Sequence, residues 1–349
     1  MKLNFLCMTL SGNGGTETVL VEVLNRLSKD GHDITLTLPE LGENRAWLDK
    51  ISENVKININ EKSNKLIRMI FITQTFIEAA NDTVFISLSG KMLKLGAIIR
   101  KTLAKNYKLV SWIHYSLTDQ KLFNANVYMP YADYHLAISS VIKQQLLDIG
   151  ISEEKIFLIY NPIQRQEILK QEKHDTLKLL YIGRIMLGGQ KNLQELFEGV
   201  VKFENFELEI FGTGTEEEQK LCIDYCKKLG ISDKIKWRGW SKNPWMDLTD
   251  TPNALVLTSS FEGLPMVMLE SISRGIPVVS ANFQGYDDVL KDGVNGYSYK
   301  QGNLDDFCNA IRKTLKNELI QEEIINSVKK FYIDEYFMNL NKCLLKIDK

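Results

Sequence analysis

The stretch FEGLPMVMLE, residues 261–270, sets Glu262 and Glu270 eight positions apart in an otherwise apolar run. The preceding NALVLTSS reads as a buried strand, FEG as a loop, and Pro265 suits the first turn of a helix running through MVMLESISRG to Gly275. Glu262 then sits on the loop and Glu270 about two turns along the helix, beside the free backbone N–H groups of its N-terminus. Carboxylates accept paired hydrogen bonds from vicinal diols. A nucleotide sugar carries such hydroxyls at both ends, with a diphosphate between that suits a helix N-terminus and cations. Arg184 and Lys191, in YIGRIMLGGQKN, supply a fork for two phosphate oxygens and a mobile point charge. Taken singly, each feature also fits an ordinary surface helix or an exposed charged loop; their conjunction favours the grip on a donor.

A second candidate loop is SGNGGTETVLVEVLNRL, where Gly12, Gly14 and Gly15 follow the first strand and lead into an amphipathic helix. Glycine lets backbone N–H groups approach an anion, though a tight turn needs the same residues. The spacing is not GxGxxG, and no GxxxxGK[ST] occurs, so dehydrogenase and P-loop readings lose their support. His114, in WIHYS at a strand end, is either a site residue or a core histidine satisfied by backbone; His32, His135 and His174 have no comparable setting.

These residues must be positioned by a large scaffold. At 349 residues the chain is long enough for two domains, and 44% hydrophobic with 25% charged residues describes a soluble globular protein. Short apolar runs alternate with amphipathic helical stretches from end to end, the pattern of parallel sheets covered on both faces. The expected strands are LNFLCMT, DITLTL, VKINI, TVFISLS, KLVSWI, YHLAIS and KIFLIY, then LKLLYIG, FELEIFG, KIKWRG, NALVLTS, IPVVSA and GYSY. YNPIQRQE marks the joint, giving domains 1–162 and 163–328 and a C-terminal helical segment, 329–349, expected to cross back to the first.

A net charge of −1 does not point to nucleic acid. Residues 83–118 lack Asp and Glu yet carry Lys91, Lys94, Arg100, Lys101, Lys105 and Lys108, and KSNKLIRMIF adds Lys62, Lys65 and Arg68 among aliphatics. Such a basic face suits an anionic membrane surface or is simply solvated. No apolar run reaches the roughly 18 residues that span a bilayer, and MKLNFLCMTLSG reads as a strand rather than a signal peptide, so a cytoplasmic location is expected. Five scattered cysteines fit reduced thiols, and Cys222 with Cys226 lacks partners for a metal site.

FEGLPMVMLE resembles the E-x7-E motif of the retaining GT-B glycosyltransferases of family 4, and SGNGGTET, IHYSLTD, IGR with QKN, and LTSSFEG fall in that family's order over nearly the whole chain. More narrowly, YADYHLAISS, HYSLTD, GGQKN, GW followed by PW (239–245) and GIPVVSA resemble the lipopolysaccharide 1,6-galactosyltransferases of enteric bacteria, which use UDP-galactose. The resemblance implies an α/β GT-B fold: two Rossmann-like, doubly wound parallel-sheet domains facing a central cleft that holds the active site. It implies that Arg184 and Lys191 hold the donor diphosphate, Glu270 the ribose and Glu262 the transferred sugar. Backbone at Gly263, Leu264 and Pro265 would meet sugar and phosphate, Gly14 and Gly15 would close over the diphosphate, Gly212 would lie near the nucleotide, and His114 would contact the donor sugar. Arg184 and Lys191 stand seven positions apart, farther than in many members. No D-x-D occurs, so the expected enzyme is a metal-independent hexosyltransferase whose partners are a UDP-sugar and a membrane-linked or oligosaccharide acceptor. The alternatives are a UDP-sugar 2-epimerase, for which no convincing extra carboxylates stand out, and a non-catalytic subunit of a glycan-assembly complex.

Overall fold

The computed structural model describes all residues except 9, 11–14, 43, 63, 119–122, 173, 318 and 349. The described chain divides into two compact units, Met1–Pro162 together with the C-terminal segment from Tyr336, and Ile163–Glu335.

In the first unit, seven strands form one parallel sheet: β1 (Lys2–Leu6), β2 (Asp33–Leu38), β3 (Lys56–Ile59), β4 (Thr83–Ser87), β5 (Lys108–Ser111), β6 (Tyr134–Ala137) and β7 (Ile156–Leu158). Their order is β3-β2-β1-β4-β5-β6-β7. β4 is buried at every residue, as a central parallel strand covered on both faces must be. The helix Ile333–Asp348 buries Tyr336, Phe337, Leu340, Leu344 and Ile347. Tyr336 and Leu340 share an apolar seam with Phe5, Ile86 and Trp112, and Asn339 Nδ2 donates to the Leu158 carbonyl at 3.1 Å.

The second unit repeats the plan with β8 (Leu177–Ile182), β9 (Phe206–Phe211), β10 (Ile235–Gly239), β11 (Ala254–Leu257), β12 (Val278–Ala281) and β13 (Gly296–Tyr299), ordered β10-β9-β8-β11-β12-β13. Its core gathers Tyr181, Phe197, Phe206, Leu208 and Phe307. Cys222, Cys226 and Cys308 are buried here, and all five cysteines of the chain are free. Each sheet reverses its strand sequence once, between β1 and β4 and between β8 and β11. In open parallel sheets ligands bind beyond the carboxyl ends of the strands at such reversals.

Candidate active site

In the second unit, β8 and β11 flank the reversal, and their carboxyl ends lead into the loops that carry Arg184 with Lys191 and Glu262. The loop after β8 is held in place by backbone: Gly183 N donates to Phe211 O at 3.0 Å and Ile185 N to Thr213 O at 3.0 Å. Gly212 closes this stitch. Its φ of +134° lies where side chains are disfavoured, and a Cβ there would come within 1.8 Å of the Gly183 carbonyl oxygen. The Tyr181 hydroxyl donates to the Arg184 carbonyl at 2.8 Å, leaving the Arg184 side chain exposed. Among the described residues that guanidinium makes no ion pair.

The residues between Arg184 and Lys191 fold against the loop after β11. Ser260 N donates to Gln190 O at 2.8 Å, Gln190 Nε2 to Phe261 O at 3.1 Å, and Thr258 Oγ1 to Lys191 O at 2.9 Å. The long spacing thereby delivers Lys191 Nζ to 2.5 Å from Glu262 Oε1, with both side chains largely shielded. Burial, and then the charge of Glu262, push the Tyr181 phenol well up, while Arg184 opposes this. Cations and carboxylate thus share one neighbourhood.

Leu264 and Pro265 are buried at the start of the helix Met266–Ser273, with Gly263 half-buried before them. Glu270 lies on that helix. Trp245 Nε1 donates to its Oε2 at 3.0 Å, and the Arg274 guanidinium stands 4.6 Å from the Trp245 ring centroid. Burial raises the Glu270 pKa, while the indole hydrogen bond and the Arg274 charge pull it back. Trp245 had a signal in the sequence, the PW of the narrow resemblance, but no role followed from it.

In the first unit, Gly15 opens the helix Gly15–Lys29 after β1, whereas Gly14 lies outside the described residues. His114 follows β5, half-buried, its ring edge-on to Trp112 at 4.4 Å. Its Nε2 is shielded with no hydrogen-bond partner among the described residues, and burial lowers its pKa to about 3. The ring is neutral at pH 7 and can accept or donate one hydrogen bond at that atom.

The expected basic face is smaller than its sequence suggested. Arg100 turns inward, its NH2 3.0 Å from Asp133 Oδ1. Lys105 Nζ caps the carbonyls of Ile77 and Ala79 at 2.6 and 2.8 Å, and Lys108 bonds the Ile347 carbonyl. Lys94 packs near the Tyr128 and Tyr131 rings. Lys91 and Lys101 stay exposed, as do Lys62 and Lys65. Beside them the helix Lys65–Glu78 presents Leu66, Met69, Ile70 and Ile77 to solvent, and the helix Gly90–Thr102 presents Ile98. Among the described residues no helix is long and apolar enough to cross a membrane.

The sequence matches two family profiles, Glycosyltransferase Family 4 over residues 13–167 and Glycosyl transferases group 1 over residues 163–331. The lipopolysaccharide 1,6-galactosyltransferase of Salmonella typhimurium is 31% identical, over 99% of this chain and 98% of its own length. The chain belongs to glycosyltransferase family 4. This glycosyltransferase has the GT-B fold, and its chemistry is glycosyl transfer. The structure of the lipopolysaccharide outer core galactosyltransferase WaaB in its apo form matches with a TM-score of 0.85 at 30% identity, covering 99% of both chains. Anabaena HepE, solved in complex with UDP-glucose, shares the fold with a TM-score of 0.81 at 18% identity, covering 99% of this chain and all of its own.

Proposed function

We propose that this glycosyltransferase moves a hexose, galactose from UDP-galactose, to a hydroxyl of a bacterial surface glycan such as lipopolysaccharide core, capsule or exopolysaccharide, with retention of the anomeric configuration. The observation that carries the reading is the Lys191–Glu262 pair together with Arg184, which makes no ion pair among the described residues, on the loops that flank the strand reversal. The names of the 1,6-galactosyltransferase and WaaB relatives support galactose.

When the donor enters, Lys191 exchanges Glu262 for a phosphate oxygen, and Glu262 is freed to take hydroxyls of the sugar. Arg184 and Lys191 then neutralise the charge that grows on the diphosphate as the bond from C1 to its oxygen breaks. The acceptor oxygen bonds C1 on the same face, its proton passes to a donor phosphate oxygen, and UDP leaves. No protein general base is needed and, with cations in place, no divalent metal. Glu270 takes the ribose, Gly212 borders the nucleotide, and backbone at Gly263, Leu264 and Pro265 meets sugar and phosphate. On the family pattern Gly14 and Gly15 are assigned to the diphosphate and His114, neutral at pH 7, to the sugar.

The acceptor is membrane-linked or an oligosaccharide, and the enzyme works at the cytoplasmic face of a bilayer, touching it through the exposed aliphatic stripe of the helix Lys65–Glu78 and its lysine flank. Aliphatic side chains insert among acyl chains while Lys62, Lys65, Lys91 and Lys101 meet anionic headgroups. A second copy of the chain fits this face less well, because a two-fold contact would set the same lysines against one another.

The test is donor hydrolysis and transfer across a panel of UDP- and GDP-hexoses, with and without EDTA. UDP-galactose should be used fastest and EDTA should change nothing. Glu262→Ala should abolish transfer yet still bind UDP, whereas Arg184→Ala should weaken UDP about tenfold or more. Transfer at the wild-type rate in both variants would refute the assignment.

A further inference from the structure

Glu270 cannot hold itself in place. It lies on the short helix Met266–Ser273, mostly enclosed, with a carboxylate that is free to rotate unless something binds it. One oxygen is bound: Trp245 Nε1 donates to Oε2 at 3.0 Å, from a residue twenty-five positions earlier in sequence. The indole is itself confined. Its side chain is 6% exposed, and the turn that carries it is closed by Ser241 Oγ, which donates to Asp247 Oδ2 at 2.5 Å and accepts from Asn243 N at 3.0 Å. Over its face sits Arg274, at 4.6 Å, anchored to the Glu270 carbonyl at 2.9 Å and to Gln166 Oε1 at 2.6 Å. The arrangement runs from the Gln166 segment through Arg274 and the indole to one carboxylate oxygen.

We infer that Trp245 is a positioning residue for the nucleotide: its indole N–H fixes the Glu270 carboxylate so that the other oxygen is aimed at a ribose hydroxyl. This rests on the reading of Glu270 as the ribose ligand. An indole N–H donates and never accepts, so the bond orients the carboxylate without competing for the diol hydrogens. Arg274 holds the ring by its face and leaves the N–H edge to Glu270. Preorganisation of this kind raises affinity by removing the ordering cost from the binding step.

The measurement compares UDP with 2′-deoxy-UDP by calorimetry in the wild type, Trp245→Phe and Glu270→Ala. Phenylalanine keeps a ring for Arg274 to cover and removes the donor, together with some buried volume whose loss should weaken both ligands alike. The wild type should prefer UDP, and Trp245→Phe should narrow that preference by about fivefold to tenfold while 2′-deoxy-UDP loses little. A packing defect alone would leave that preference intact, and that result overturns the inference. If Glu270→Ala leaves the preference intact, the ribose assignment itself has failed; if it erases the preference while Trp245→Phe keeps it, only the role of Trp245 has failed. Should Trp245→Phe not fold, the wild-type indole proton decides, identified by its change in Glu270→Gln. Slow solvent exchange with and without UDP supports a fixed support; release on UDP binding would make Trp245 a cover over Glu270 and sink the inference.

Discussion

Lys191 Nζ lies 2.5 Å from Glu262 Oε1, joining two loops whose residues are 71 positions apart in sequence. Both side chains are more than four-fifths shielded, so the pair is screened less than a surface salt bridge. Removing one member leaves the other charge poorly solvated. Lys191→Met and Glu262→Gln should each lower unfolding free energy by about 1 to 3 kcal/mol, and the double variant should lose about 1 kcal/mol less than their sum. Urea titration of the four proteins measures this coupling. Binding gives the opposite sign for one variant: Glu262→Gln releases Lys191 for the diphosphate, so UDP should bind as well as in the wild type or better. A loss of UDP affinity in Glu262→Gln would show that Lys191 is not the phosphate cation.

Gly212 tests the scaffold rather than the chemistry. Its φ is +134°, and a methyl group added there would lie 1.8 Å from Gly183 O, so no side chain fits without moving the loop that carries Arg184. Gly302→Ala is the matched control, since its φ is +79° and a Cβ there meets nothing within 4 Å. The control should cost about 1 kcal/mol from backbone strain alone. Gly212→Ala should cost several times more and reduce UDP binding with it. Equal melting temperatures for the two variants would contradict the close stitch between the loops after β8 and β9.

The sheets were legible because burial on both faces forces continuous apolar runs: TVFIS becomes β4 and ALVL becomes β11, each buried throughout. Arg184, Lys191, Glu262 and Glu270 stand out in the sequence because their residue types suit a diphosphate with hydroxyls at either end, and the structure brings Lys191 to Glu262. What the sequence could not carry is partner choice across long separations. Nothing in residues 83–118 distinguishes Lys91, which stays in solvent, from Lys105, which caps the end of the helix Lys65–Glu78. The same holds for Trp245, whose pairing with Glu270 depends on how the turn after β10 folds. The segment before Lys191 is the one whose bonds to residues 258–261 bring the lysine to Glu262.

Acid should destabilise the enzyme over the range in which free histidine takes up its proton. Burial lowers the pKa of His135 to about 4 and that of His114 to about 3, and burial also lowers that of His32. For His135 the Lys155 charge adds to the effect and Asp133 opposes it. The His135 ring is fully enclosed, with Nδ1 2.7 Å from Ser111 Oγ. In the unfolded chain these rings take up protons below about pH 6.5, whereas in the folded protein His135 and His114 refuse them until about pH 4 and 3, and His32 takes one up below its ordinary range. The unfolded state therefore binds more protons, and stability falls as pH drops from about 6.5 towards 4. Between pH 7.5 and 5 the loss should be about 2 to 4 kcal/mol, read by urea unfolding. His135→Gln should flatten the slope in that window; an unchanged slope would mean that His135 is already charged in the folded state.

The helix Lys65–Glu78 should carry the enzyme to an anionic bilayer. On the helix Lys65–Glu78, Leu66 is 68% and Ile70 56% exposed, a costly display of aliphatic surface unless something covers it. The sheet side of the same helix is satisfied by Ile72 and Phe76, so polar residues at 66 and 70 would not disturb the core. Vesicles containing phosphatidylglycerol should pull down the wild type, and pure phosphatidylcholine vesicles should do so far less. Leu66→Glu with Ile70→Glu should abolish the association. Lys65→Glu with Lys101→Glu should weaken it and remove its dependence on salt. Hydrolysis of UDP-galactose in solution should be unchanged in both, because neither pair belongs to the donor site. If the wild type ignores anionic vesicles but sediments as a dimer that the Leu66, Ile70 variant dissolves, the face joins two copies of the enzyme and the membrane reading is wrong.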